Sequence, residues 1–132
     1  MTRIAIIAAN AIIRSGTEIL LSKSGVPPNC IVTFETVADF LNHPDLKRFA
    51  VALLDDEPYF NNIEATIEQL LKLIPDLLII LLSERLMVAY IRSIIKQGAS
   101  GFIYKEGEME QSLPIALSAV QRGTVYLSPE VS

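Results

Sequence analysis

Four short segments that could carry chemistry each follow a run of apolar residues: Ala8-Ala9-Asn10, Asp55-Asp56-Glu57, Ser83-Glu84 and Lys105-Glu106. Brought into one cleft, Asp55, Ser83 and Lys105 offer a carboxylate, a hydroxyl and an ammonium group, which can pair with one another or receive a charged ligand. Each residue also has a plain structural reading. Asp55 closes the buried strand AVALLD and can cap the turn before Pro58, Asp56 and Glu57 read as solvated loop charges, Ser83 is a suitable N-cap for the helix that follows it, and Lys105 is an ordinary surface lysine unless an acid lies beside it. What ties them together is position, because all follow predicted strands.

The elements that must place them alternate between short apolar runs and longer segments of helical period, the pattern of βα units around a parallel sheet. Strands are predicted at Arg3 to Ala8, Cys30 to Phe34, Phe49 to Leu54, Leu77 to Leu82 and Gly101 to Tyr104. Helices are predicted at Ala11 to Lys23, Thr36 to Leu41, Asn61 to Leu73, Leu86 to Gln97, and from a Ser112 cap, with Pro114 in the first turn, to Arg122. Thr124 to Ser132 reads as extended and irregular. In an open parallel sheet, ligands bind beyond the carboxyl ends of the strands, near the point where strand order reverses. If strands one, three, four and five are neighbours, the four segments meet there.

Composition narrows the function. A chain of 132 residues can bury one good core. Its mean hydropathy is +0.41, yet its longest uninterrupted apolar runs, such as Leu77 to Leu82, are far short of the roughly 20 residues that span a bilayer. Met1-Thr2-Arg3 leads straight into a strand pattern, with no signal-peptide cleavage site, and the single cysteine, Cys30, has no Cys or His at metal-ligand spacing; a cytoplasmic protein without membrane contact is expected. A net charge of -4 gives no basic footprint for nucleic acid. The one histidine, His43, follows the short second helix, away from the strand ends, and no nucleophile elbow, phosphate-cradling glycine loop or zinc motif is present, so an enzyme is not expected.

The placement of Asp55 in LLD, Ser83, and Lys105 in GASGFIYK resembles the receiver domain of bacterial response regulators over essentially the whole chain. The spacings fit that family, with 28 residues from Asp55 to Ser83 and 22 from Ser83 to Lys105. The resemblance implies a CheY-like (βα)5 doubly wound α/β domain, a five-stranded parallel sheet of order 2-1-3-4-5 with helices on both faces. It implies that Asp55 holds the position phosphorylated by a sensor histidine kinase, and that Ser83, Phe102 and Lys105 hold the switch and phosphate-contact positions. GTVYLSPEVS is similar to the join between receiver and DNA-binding domain in LuxR-type (NarL-like) transcription regulators. Residues 1–123 are then the receiver and 124–132 the start of a linker, with DNA contacted only through a helix-turn-helix half beyond it.

The chain departs from that family in two places. Two acids follow the family's first strand and hold Mg²⁺ with the phosphoacceptor; here Ala8 and Ala9 take their places, and a methyl group offers a hard cation no ligand. After the phosphoacceptor, Pro58 comes three residues on instead of four, Tyr59 takes the fourth place, and the family's glycine is missing. Phosphoryl transfer depends on positioning and on neutralising developing charge, so magnesium binding and phosphorylation at Asp55 are expected to be weak or absent, unless Asp56 or Glu57 turns inward as a substitute acid. Without metal, Asp55 and Lys105 are expected to pair directly. The leading expectation is a phosphorylation-independent pseudo-receiver that acts by homodimerisation, through the region Leu86 to Arg122 or through the first and fifth helices. A working phosphoacceptor, and a small-ligand sensor with Ala8, Ala9 and Tyr59 lining its pocket, stand as alternatives.

Overall fold

In the computed structural model, which describes residues 2–131, every strand is parallel; Met1 and Ser132, the last residue of the expected linker, lie outside the described residues. The strands are β1 (Arg3–Ile7), β2 (Ile31–Phe34), β3 (Phe49–Asp55), β4 (Leu78–Ser83), β5 (Gly101–Tyr104) and β6 (Tyr126–Leu127). They alternate with α1 (Ala11–Lys23), α2 (Val37–Leu41), α3 (Ile63–Leu73), α4 (Val88–Gln97) and α5 (Met109–Gln121). The strand order is β2-β1-β3-β4-β5-β6. The doubly wound α/β class is as expected, but the sheet has six strands where five were predicted.

Successive side chains along a strand point to opposite faces, and here each face has its own core. Ile4, Ile6, Val51, Leu53, Ile80, Leu82 and Ile103 face α1 and α5, where Leu21, Leu113 and Val120 meet them. Ala5, Ile7, Ala52, Leu54, Ile79, Leu81 and Phe102 face α2, α3 and α4, against Phe40, Ile67, Leu70, Ile91 and Ile94. Burial on both sides explains why β3 and β4 read as continuous apolar runs. Each Leu or Ile so buried contributes about 1.5–3 kcal/mol relative to exposure.

Several boundaries differ from the prediction for identifiable reasons. Cys30 belongs to a 3-10 turn, Pro28–Cys30, ahead of β2. The residues after β3 form a 3-10 turn, Glu57–Asn62, before α3 begins. The fifth helix starts earlier than Ser112, because the Gln111 and Ser112 amides both donate to the Glu108 carbonyl, at 3.1 and 2.9 Å, and Ser112 lies buried inside the helix. The sixth strand follows Gly123, whose φ of +84° turns the chain after α5 in the left-handed region that glycine tolerates. Tyr126 N–H then donates to the Ser100 carbonyl and Ser128 N–H to the Phe102 carbonyl, both at 3.0 Å. Ser128 Oγ also accepts from the Tyr104 amide at 2.8 Å. Part of the segment read as irregular is therefore bound along the β5 edge.

Candidate functional site

The register of the central strands determines what meets at the carboxyl edge. β3 and β4 pair with Asp55 opposite Leu82, β4 and β5 pair with Ser83 opposite Tyr104, and the Lys105 amide continues the ladder by donating to the Ser83 carbonyl at 2.8 Å. Asp55 has the parity of Leu53 and faces the α1/α5 side; Asp56 has the parity of Leu54 and faces the α3/α4 side. Adjacent acids thus enter two different environments.

On the first side, Lys105 Nζ lies 2.8 Å from Asp55 Oδ1, with side-chain exposures of 9% and 2%. Oδ1 also accepts the Glu57 amide at 3.0 Å, which fixes the turn out of β3. Asp55 and Lys105 are thus directly paired. The pair lies at a cleft of about 590 Å³ whose lining includes Ala9, Ile13, Pro58 and the carboxylates of Glu57, Glu84 and Glu106. Ala8 is fully buried, whereas Ala9 and Asn10 are exposed. Asn10 Oδ1 caps α1 by accepting the Ile12 and Ile13 amides at 2.8 and 3.1 Å. Arg14 Nη1 donates to the Ala8 and Ala9 carbonyls at 2.8 and 3.3 Å, so a side chain of α1 secures the loop at the acid-pair positions.

These residues do not fit a bound magnesium ion. Ala8 and Ala9 supply no side-chain oxygen, Asp55 is engaged by Lys105, and among the described residues no group of three or more His, Cys, Asp or Glu is placed to hold a metal. Of the two proposed substitute acids, Glu57 stands exposed at the cleft and Asp56 does not enter it.

Asp56 is fully buried, contrary to its reading as a solvated loop charge. Its Oδ2 accepts two short hydrogen bonds, from Ser83 Oγ and from Tyr90 Oη, each 2.6 Å, while Oδ1 has no protein partner. Burial pushes the Asp56 carboxyl above the usual aspartate range, with the Asp55 charge adding to the rise; the two hydroxyl donors and Lys105 act in the opposite direction. The Tyr90 phenol is also pushed up, first by burial and then by its bond to Asp56. Over this group, the Arg85 guanidinium lies 3.6 Å from the centre of the Phe60 ring, and Phe60 meets Tyr90 at 4.9 Å between centroids.

Ser83 is not the N-cap of α4. The helix starts at Val88 after Met87, without a side-chain cap, while Ser83 Oγ donates to Asp56 and accepts the Arg85 amide at 3.1 Å. Phe102 is fully buried in the core beside α4. Tyr59 does not line the cleft, because its hydroxyl accepts the Val37 amide at 2.8 Å at the start of α2. His43 lies edge-on to Phe34 and Phe49, away from the strand ends.

With 99% of this chain and 95% of the other superposed, the structure matches the isolated receiver (REC) domain of RcsB from Salmonella enterica serovar Typhimurium in its apo form at a TM-score of 0.85 and 22% identity. The chain has the response-regulator receiver fold. A LuxR family DNA-binding response regulator from Silicibacter pomeroyi matches the receiver at a TM-score of 0.80 and 26% identity, covering 98% of this chain and 99% of the other. In sequence, the transcriptional regulatory protein DegU of Brevibacillus brevis is 34% identical over 83 residues, 62% of this chain. That stretch is 34% of the relative, so the receiver spans about a third of the curated protein it matches. No family model matches the chain.

Sequence reasoning about the receiver missed Tyr90, Phe60, Arg85 and Arg14. Tyr90 lies 34 residues beyond Asp56, and no local motif links them. One signal was present: two acids in succession at the end of a buried strand must point to opposite faces, so only one could enter the cleft.

Proposed function

We infer that this receiver is the regulatory module of a two-component-type transcription regulator whose state does not depend on phosphorylation at Asp55. The observation that carries the reading is the 2.8 Å Asp55–Lys105 pair at a cleft with Ala8 and Ala9 where metal-binding acids would stand. Lys105 supplies the charge that a metal would otherwise bring to Asp55. The module acts in the cytoplasm by binding and self-association and not by catalysis. Among the described residues, no helix is long and apolar enough to cross a membrane.

Self-association has apolar surface available. Ile12 and Ile19, seven residues apart on one side of α1, are 81% and 58% exposed, and Ile115 on α5 is 57% exposed. The region from Leu86 to Arg122 also carries exposed apolar side chains, Leu86, Met87, Val88 and the same Ile115, so a homodimer has apolar surface available at either face. DNA contact belongs to a helix-turn-helix part outside this chain. That reading is supported by the DNA-binding response regulator of Silicibacter pomeroyi and by the solved complex of RcsB with the rprA promoter.

The deciding experiment is titration of Mg²⁺ with beryllofluoride, followed by amide NMR at Asp55, Ser83 and Phe102. Spectra that stay unchanged through millimolar Mg²⁺ support the phosphorylation-independent reading. Saturating shifts favour the second reading, a working phosphoacceptor that takes phosphate from a sensor histidine kinase. Its specific support is that Asp55 and Lys105 are both present at an open cleft, with Glu57 at the cleft as a carboxylate for a metal.

A further inference from the structure

We propose that Asp56 is a built-in carboxylate anchor for the switching side of the receiver, holding Ser83 and the start of α4 in place with no phosphoryl group present. The inference deepens the proposed function, because it rests on Ser83 holding a switch position of the receiver.

The geometry of Ser83 carries the first part. A serine hydroxyl has one proton to donate. Here that proton goes to Asp56 Oδ2 at 2.6 Å, and the oxygen accepts the Arg85 amide at 3.1 Å. Ser83 cannot also donate to an anion in the cleft without giving up Asp56. Asp56 therefore occupies the hydroxyl from within the fold.

The start of α4 carries the second. This helix has no N-cap side chain and no acid in its first turn, so the usual local means of securing a helix start are absent. Leu86, Met87 and Val88, which lead into it, are 40%, 48% and 53% exposed. Ile91 packs into the core from the first turn, and the polar and aromatic contacts that add to it are the Tyr90 hydroxyl on Asp56 and the Tyr90 ring against Phe60, over whose ring the Arg85 guanidinium lies. Asp56 accepts from β4 and α4 through one oxygen, and so joins β3, β4 and α4 at a single atom. Asp56 is a positioning residue in this account, with no catalytic part.

The test is backbone hydrogen exchange across α4 in the wild-type chain and in Asp56→Leu, Asp56→Asn, Tyr90→Phe and the Asp56→Leu/Tyr90→Phe double variant, with no added ligand. Leucine removes the acceptor and suits an apolar site, whereas asparagine keeps a neutral acceptor. We expect exchange in the first turns of α4 to rise about tenfold in Asp56→Leu and in Tyr90→Phe, and less in Asp56→Asn. The double variant should exchange no faster than Asp56→Leu, because that variant already removes the bond that Tyr90 makes. Exchange unchanged in Asp56→Leu, or rates that multiply in the double variant, would overturn the anchor. If Asp56→Leu does not fold, Tyr90→Phe against wild type decides the matter, since the ring and its contact with Phe60 remain. The beryllofluoride titration of the wild type tests the proposed function separately. A wild type that responds to it while Asp56→Leu still loosens α4 leaves the anchor standing and removes phosphorylation independence; the reverse pattern does the opposite.

Discussion

Asp55 and Asp56 are neighbours in the chain and separated by the sheet in space. Asp55 is paired with a cation at the mouth of an open cleft. Asp56 is sealed under Tyr90, Phe60 and Arg85 and bound by two neutral hydroxyls, with its second oxygen unpartnered. The first arrangement neutralises a buried charge with a cation at the lining of the cleft. The second confines a carboxyl in a place where only the fold can satisfy it, so its bonds carry more structural weight. Ala8 and Ala9 bring no acid to the cleft side, while Asp56 places a set of hydrogen-bond constraints on the opposite face.

The largest effect should come from depriving Asp56 of both donors. Ser83→Ala with Tyr90→Phe leaves a buried carboxyl without any partner, and about 3 kcal/mol of stability should be lost, since a hydrogen bond to a charged group contributes about 1.5 kcal/mol or more. Urea unfolding measures it. A loss no greater than that of an average exposed substitution would show that Asp56 reaches water and that the two faces are less different than their geometry indicates.

On the cleft side, Lys105→Ala should cost about 2 kcal/mol, the scale of one charge-assisted hydrogen bond, because Asp55 keeps the Glu57 amide and gains water from the cleft. The same variant should leave α4 exchange at its wild-type rate. A change at α4 equal to that of Asp56→Leu would mean that the faces act as one unit.

The pH dependence separates the two acids further. The folded-state pKa of Asp56 lies above its unfolded value, so between the two the folded chain holds a proton that the unfolded chain has lost. Its contribution therefore makes stability fall as pH rises from the ordinary aspartate range through the raised value, and stay level above it. The charged or titratable groups that bear on it are Asp55, Lys105 and Tyr90, with Arg85 acting on Tyr90. Asp56→Asn should abolish that decline. Paired stability curves of wild type and variant with equal slopes through this window would contradict the assignment of a buried, proton-holding Asp56.

Much of this was legible before any coordinates. β3 and β4 announce themselves because both faces are buried, and α1 because Ala11 to Lys23 carries a helical period between two strands. Asp55 and Lys105 could be paired by their placement after neighbouring strands. β6 could not be read, since two residues show no periodicity and pair only because β5 leaves an edge to bind. The early start of α5 was hidden because Ser112 and Pro114 imitate a helix beginning, while the bonds that start it are backbone bonds to Glu108. Asp56 was misread because its partners come from β4 and from a helix 34 residues away, and charge in a loop is ordinarily solvated.

The smallest effect sharpens the comparison from outside both sites. Ser128 is buried where β6 lies against β5, with Oγ accepting the Tyr104 amide at 2.8 Å and donating to the Phe102 carbonyl at 3.3 Å. Ser128→Ala should cost about 1 kcal/mol, the net contribution of an ordinary hydrogen bond, and should raise exchange at the Tyr104 and Ser128 amides. Phe102 and Tyr104 lie beside Lys105 in sequence, and Phe102 packs into the core under α4, so a disturbance at β6 could travel to either face. If each face is held by its own bonds, neither the Asp55–Lys105 pair nor α4 will respond, and both will keep their wild-type amide shifts and exchange. A coordinated change at α4 would instead make β6 part of the same mechanical unit as Asp56, with the segment after α5 tied to the buried carboxyl.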